Sequence, residues 1–214
     1  MPKSLKLNVL IAFSIFNFSL FAQPVVEKYS NGSIKSEGIL DENRKQGEWV
    51  FYYPSGTKSA TVHYSLGQLD GLVMYYYPDE TIMAKETWED GLLTDSAFYY
   101  HENGELEKKG VYEDGLYKGQ WVFMNDQGVL IRKGTYENGL PNRSWTSYYD
   151  DGTIWQEGAY TEGLESGLWK FYRKDGSLEY EGHYENGARV GEWFLVNRRG
   201  KRKLVVFEEI EESN

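Results

Sequence analysis

The side chains of this chain that could do chemistry are three histidines and 33 acidic residues; it has no cysteine. His63 and His183 stand five 24-residue intervals apart, and His101 falls at a different phase. No pair has the short spacing of metal ligands, and the expectation is three half-exposed strand residues. Without Cys there is no thiolate nucleophile. No Gly-x-Ser-x-Gly occurs, so a nucleophile elbow lacks its motif. Ser55-Gly56-Thr57-Lys58 lacks the upstream glycine and following helix of a phosphate loop. Carboxylates recur at Glu89-Asp90, Glu113-Asp114, Glu137, Glu162 and Glu185. Paired carboxylates need a separation of about 5–9 Å for glycosidase chemistry. These acids recur once per repeat unit, and two strand spacings are about 10 Å. That is also too far for shared Ca²⁺ ligation. The chain is expected to carry no catalytic residues, no metal site and no cofactor.

The elements that hold these residues repeat. Gly32, Gly56, Gly104, Gly128, Gly152, Gly176 and Gly200 lie on one 24-residue lattice, broken by Glu80. Three more glycine columns share the period. The first is Gly67, Gly91, Gly115, Gly139, Gly163 and Gly187, headed by Asn43. The second is Gly47, Gly71, Gly119, Gly167 and Gly191, broken by Asp95 and Arg143. The third is Gly38, Gly110, Gly134, Gly158 and Gly182. Trp49, Trp121, Trp145, Trp169 and Trp193 form an aromatic column, with Val73 and Ala97 in the remaining places. Tyr64, Trp88, Tyr112, Tyr136, Tyr160 and Tyr184 form another. Seven units run without insertion from Tyr29 to Val196, and a partial eighth begins at Asn197.

Each unit reads as two strands and two turns. In Gly119-Gln-Trp-Val-Phe-Met124, Trp121 and Phe123 alternate with Val122 and Met124. Asn138-Gly139, Asp114-Gly115 and Asp175-Gly176 are hairpin turn signals, because both residue types accept positive φ. The predicted fold is all-β: an elongated single-layer antiparallel meander of β-hairpin repeats, with about seven 24-residue units and 14 to 15 strands. A glycine within a strand leaves room for a neighbour's ring. The tryptophans are therefore expected to lie over Gly110, Gly134, Gly158 and Gly182.

Composition bounds the partners. The net charge is −10, which argues against nucleic acid and against anionic lipid. Lys3 and Lys6, the apolar run Leu7–Phe21 and Ala22 before Gln23 form the pattern of a secretory signal peptide. The expected layout is a signal at 1–22, a short leader at 23–28, the array at 29–196, and a C-terminal cap strand with charged tail at 197–214. Export to the periplasm, cell envelope or exterior follows. No membrane binding is expected beyond the signal. Tyr52, Tyr76, Tyr100, Tyr148 and Tyr172 form a column that consecutive Tyr pairs force partly onto the second face. Tyr offers apolar area with a polar tip. With Glu89, Glu113 and Glu137 at the turns, these residues are the candidate partner-binding surface.

The unit Gly-x-Leu-x-x-x-Gly-x-Tyr-x-x-Gly-x-x-x-Gly-x-Trp-x-x-Tyr resembles the bacterial variant of the MORN repeat. Gly152 to Tyr172 follow it best, and Gly128 to Tyr148 depart only at Arg143. The resemblance covers residues 29–196 and implies a β-hairpin meander that acts as an interaction scaffold for a protein partner. Many bacterial members carry an antitoxin-like label, and eukaryotic relatives are linked to membrane association and dimerisation. A cell-envelope polysaccharide stacking on the Tyr rows is the alternative partner. The third unit departs most, with Glu80, Glu86 and Asp95 at Gly positions, so a bend or a specialised surface is expected there.

Overall fold

The computed structural model describes residues 22–205. Alternating apolar and polar positions between Gly-containing turns give 17 strands and, among the described residues, no helix. The leader forms β1 (Gln23–Lys28), which pairs with β2 (Ile34–Asp41). Unit by unit there follow β3 (Arg44–Tyr52), β4 (Lys58–Ser65), β5 (Gln68–Leu69), β6 (Gly71–Tyr76), β7 (Ile82–Glu89), β8 (Leu92–Tyr100), β9 (Leu106–Glu113) and β10 (Leu116–Met124). Then come β11 (Leu130–Glu137), β12 (Leu140–Tyr148), β13 (Ile154–Thr161), β14 (Leu164–Tyr172), β15 (Leu178–Glu185), β16 (Ala188–Val196) and β17 (Arg202–Val205). The count exceeds the expected 14 to 15 for three reasons. The leader and the start of the eighth unit each add a strand, and Asp70 splits one strand into β5 and β6. Pairing is antiparallel throughout and joins sequence neighbours, except that β4 pairs with both β5 and β6, the two pieces of the strand split at Asp70.

The sheet is one layer, and its core is a spine of rings on one face. Trp49, Trp121 and Trp169 are 1%, 0% and 2% exposed, an unusual degree of burial for so large a side chain on an open sheet. A wide bulge makes this possible. Opposite Gly110, β10 spends Gly119, Gln120 and Trp121, and the pairing jumps from Lys118↔Val111 to Val122↔Lys109. Gly119 takes φ +65 to begin the bulge. The ring then folds back over Gly110. A Cβ built on that glycine would lie 2.2 Å from Trp121, and the same contact recurs at Gly38 (2.3 Å), Gly134 (2.0 Å), Gly158 (2.2 Å) and Gly182 (2.2 Å). The predicted Trp-over-Gly packing is present in all five units that have both residues. The bulge also leaves a backbone carbonyl without a ladder partner. The indole N–H supplies one: Trp49 donates to Ile39 at 3.0 Å, Trp121 to Val111 and Trp169 to Ala159 at 3.1 Å.

Glycine and tryptophan vary together at a spacing of eleven. Where Gly is missing, Trp is missing: Val62 goes with Val73, and Glu86 with Ala97. Val62 and Val73 are both buried, so two isopropyl groups fill the space of one indole. In the third unit the buried Glu86 carboxylate accepts from Trp88 Nε1 at 3.1 Å and from the Tyr99 hydroxyl at 2.8 Å. Burial, then bonds to Tyr112 and Glu86, hold the Tyr99 phenol far above its ordinary pKa. The backbone of this unit keeps the lattice, because Glu80 and Asp95 adopt φ +68 and +55 in place of glycine. What changes in this unit is the side-chain core.

A second device closes six of the seven units; the fifth begins with Asn125, whose Oδ1 accepts from Gln127 and Val129 within the turn instead. In the six, the first residue donates to the carbonyl of the last, 23 positions on. Tyr29 reaches Tyr52 and Tyr53 reaches Tyr76, each at 2.7 Å, and Tyr77 reaches Tyr100 at 2.8 Å. Tyr149 reaches Tyr172 at 2.7 Å and Arg173 reaches Val196 at 2.8 Å. His101 occupies the same place and donates from Nε2 to Met124 at 3.0 Å. His101 is therefore a part-buried clasp beside a turn, not the half-exposed strand residue expected. The position asks only for a long donor, which is why its residue type varies.

Candidate functional site

The sheet presents two unlike faces. The spine face carries the Trp and Tyr columns, with edge-to-face contacts such as Trp121–Tyr112 at 5.1 Å and Trp193–Tyr184 at 5.0 Å. Its concavities are shallow. A groove of about 440 Å³ over the second unit is lined by Phe51, Val62, Tyr64, Leu69, Tyr75 and Met83, with no charged side chain among its lining residues. Another of about 330 Å³, toward the last strands, includes Trp155, Phe171, Tyr180, Arg189 and Trp193.

The open face carries the predicted Tyr column. One cross-strand row runs along it from Glu37 to Leu204. The pairings Glu37↔Val50↔Thr61↔Met74↔Lys85↔Phe98↔Lys109↔Val122↔Lys133↔Thr146 continue as Glu157↔Lys170↔Glu181↔Phe194↔Leu204. The Tyr column runs beside it. Tyr52 donates to Glu37 at 2.5 Å and Tyr172 to Glu157 at 2.6 Å, which places each pair on a common face. Lys133 lies 5.9 Å from the Tyr148 ring. All five tyrosines are partly exposed.

These contacts shift tyrosine ionisation. The bond to Glu37 raises the Tyr52 pKa, with burial second. Burial, then the bond to Glu157, pushes Tyr172 up to about 12. A phenol whose folded pKa is raised contributes stability below its ordinary value of about 10. That contribution is lost as pH rises toward 12. Thermal melts from pH 9 to 12 are therefore expected to fall less steeply for Tyr172→Phe than for the parent chain. Equal slopes would show that the Glu157 contact is not formed.

The predicted acidic residues do not join the tyrosines. Glu89, Glu113 and Glu137 are exposed and end β7, β9 and β11 at the other margin of the sheet. Seven residues of strand separate Glu113 from Leu106, the residue opposite Tyr100, which is roughly 20 Å. Glu113 pairs with Lys118, and Glu137 accepts from Asn142 at 2.7 Å. Among the described residues no group of three His, Asp or Glu could hold a metal ion. His63 donates from Nδ1 to the Asp70 carbonyl at 2.7 Å, which gives it a local role in the β5–β6 break.

The sequence alone pointed to the Tyr column but missed the lysines between its members. The signal was present: residues fifteen apart meet as Glu37–Tyr52, Lys133–Tyr148 and Glu157–Tyr172, and Lys85 and Tyr100 share that spacing.

Fold and faces define a β-hairpin repeat array, a class that works through extended surface rather than through an enclosed site. Residues 45–65, 96–114 and 165–186 match the sequence model of the MORN repeat variant. No curated protein matches the chain. Of 56 matching chains of solved structures, one belongs to the structure described as "Crystal Structure of TcdB2-TccC3-Cdc42". It is 10% identical over 80% of this chain, with a TM-score of 0.19, too low to say anything of this chain's fold or role. The chain spans only 13% of that protein's length.

Proposed function

We propose that this protein is an exported, non-enzymatic scaffold that holds a protein partner on its open face. One observation supports this reading above the others. The spine face buries Trp49, Trp121, Trp145, Trp169 and Trp193 in packing, while the open face keeps five aligned, partly exposed tyrosines over the length of the array. Rigid aromatic rows with polar tips are what protein-binding surfaces enrich. Export rests on the pattern of Lys3 to Ala22, of which Lys3 to Phe21 lie outside the described residues. An immunity or antitoxin-like role belongs to the same proposal and rests on the resemblance to labelled bacterial members.

The test is capture from a cell-envelope fraction with the full chain as bait. The expected result is a discrete protein at fixed stoichiometry, lost with Tyr100→Ala/Tyr148→Ala while the melting curve stays cooperative. Retention on purified polysaccharide with no protein captured would overturn the reading in favour of a glycan-binding module.

A further inference from the structure

Most of the open face satisfies itself. At two of the three glutamates in the row the tyrosine fifteen residues on donates to the carboxylate, Tyr52 to Glu37 and Tyr172 to Glu157. Glu181 is held by Arg202 at 2.6 Å. Lys170 has Glu157 and Glu181 as its cross-strand neighbours.

The middle of the row is different. Lys85, Lys109 and Lys133 have only Met74, Phe98, Val122 and Thr146 beside them across the strands. Among the described residues none of the three makes an ion pair. Their partners fifteen residues on include Tyr100 and Tyr148, whose hydroxyls have no hydrogen bond among the described residues. In the Glu units the phenol and the carboxylate complete each other. In the fifth unit the Tyr148 ring lies 5.9 Å from the Lys133 ammonium, which has donors and no acceptor. The acceptor that would complete both is an anionic oxygen from outside. In a chain of net charge −10, three consecutive units reverse the sign of the row.

Spacing narrows the occupant. Equivalent lysines are two strands apart, about 10 Å. A polypeptide extended as polyproline II rises about 3.1 Å per residue with three residues per turn, so every third side chain returns to one side after about 9 Å and a carboxylate at every third position meets successive lysines. Phe98 and Val122 between them offer apolar contact to the intervening residues. We infer that the open face of the third to fifth units is a docking surface for an acidic, extended polypeptide segment. Its carboxylates are received by Lys85 with Tyr100, by Lys109, and by Lys133 with Tyr148. This rests on the scaffold reading above and names the chemistry of the partner.

A fluorescein-labelled peptide of Glu-Ser-Gly repeats, titrated with the full chain at low salt and followed by anisotropy, tests the inference. Binding is expected to exceed that of the Gln-Ser-Gly peptide by about tenfold or more and to weaken with salt. Lys85→Gln/Lys109→Gln/Lys133→Gln is expected to abolish that preference without moving the melting midpoint. Tyr100→Phe/Tyr148→Phe, which removes only two hydroxyls, is expected to reduce it about threefold to tenfold. Equal binding of the two peptides would overturn the inference. So would unchanged binding by the triple Gln variant, or a preference for polygalacturonate over the peptide. If an envelope protein is captured equally by the triple variant, the scaffold reading stands and the acidic segment falls. If no protein is captured but the peptide binds through the lysines, the scaffold reading falls instead.

Discussion

Trp121→Ala is expected to lower stability by about 3–5 kcal/mol in urea unfolding, the range of a fully buried large aromatic truncated to alanine. The ring is 0% exposed, stacks on Tyr117 at a centroid distance of 3.8 Å, and meets Tyr112 edge-on at 5.1 Å. Its removal also strips the Val111 carbonyl of its indole donor. A single-layer array has no second layer to collapse into the gap. Contacts reach only neighbouring strands, so the loss should be local. Hydrogen exchange should rise in β8 to β11 and stay near parent values in β2, β3 and β16. A cost under about 1 kcal/mol, the scale of an ordinary surface substitution, would mean that the ring is not part of a core.

Gly134→Val is expected to cost about 3 kcal/mol, at the upper end for overpacking. A Cβ there would stand 2.0 Å from Trp145 Cε3, so the ring must leave its place over the strand. Gly134 is not among the positive-φ glycines, so steric exclusion by the ring rather than backbone strain sets the cost. Gly139, which takes φ +79 in a turn, would respond to substitution through its backbone instead. Near-parental stability for Gly134→Val would show that Trp145 has room to move aside.

Much of this was legible in the residues. The period, the strands and the turn glycines could be read directly, because glycine recurs at most of the lattice positions where φ is positive, with Glu80, Asp95 and Arg143 among the exceptions. Trp-over-Gly packing followed from Gly134 lying inside a strand. The faces were harder. Pairs such as Tyr99-Tyr100 put one ring on each side, and only the bulge at Gly119 decides which side the tryptophans take. The clasp was invisible because Tyr, His and Arg serve it equally. The last strand also departs from the lattice. β17 pairs Leu195 with Lys203 without the bulge seen at Phe171/Tyr172, so Val205 comes to lie opposite Trp193. The predicted cap lies only partly within the described residues, and Glu208 to Glu212 fall outside them. Of the candidate surface, the Tyr column shares one face with the lysines, while the Glu column occupies the far margin. Sequence spacing alone could not separate them, since both recur every 24 residues.

The central claim is that a glycine and the tryptophan eleven residues later form one packing unit, which leaves the opposite face free for a partner. The second unit already carries the alternative solution, Val62 with Val73. A double-mutant cycle on Gly134→Val and Trp145→Val therefore tests the claim most directly. The account expects the double variant to be more stable than the sum of the two single changes by about 1–3 kcal/mol, and more stable than Gly134→Val alone. Strict additivity of the two changes would contradict it.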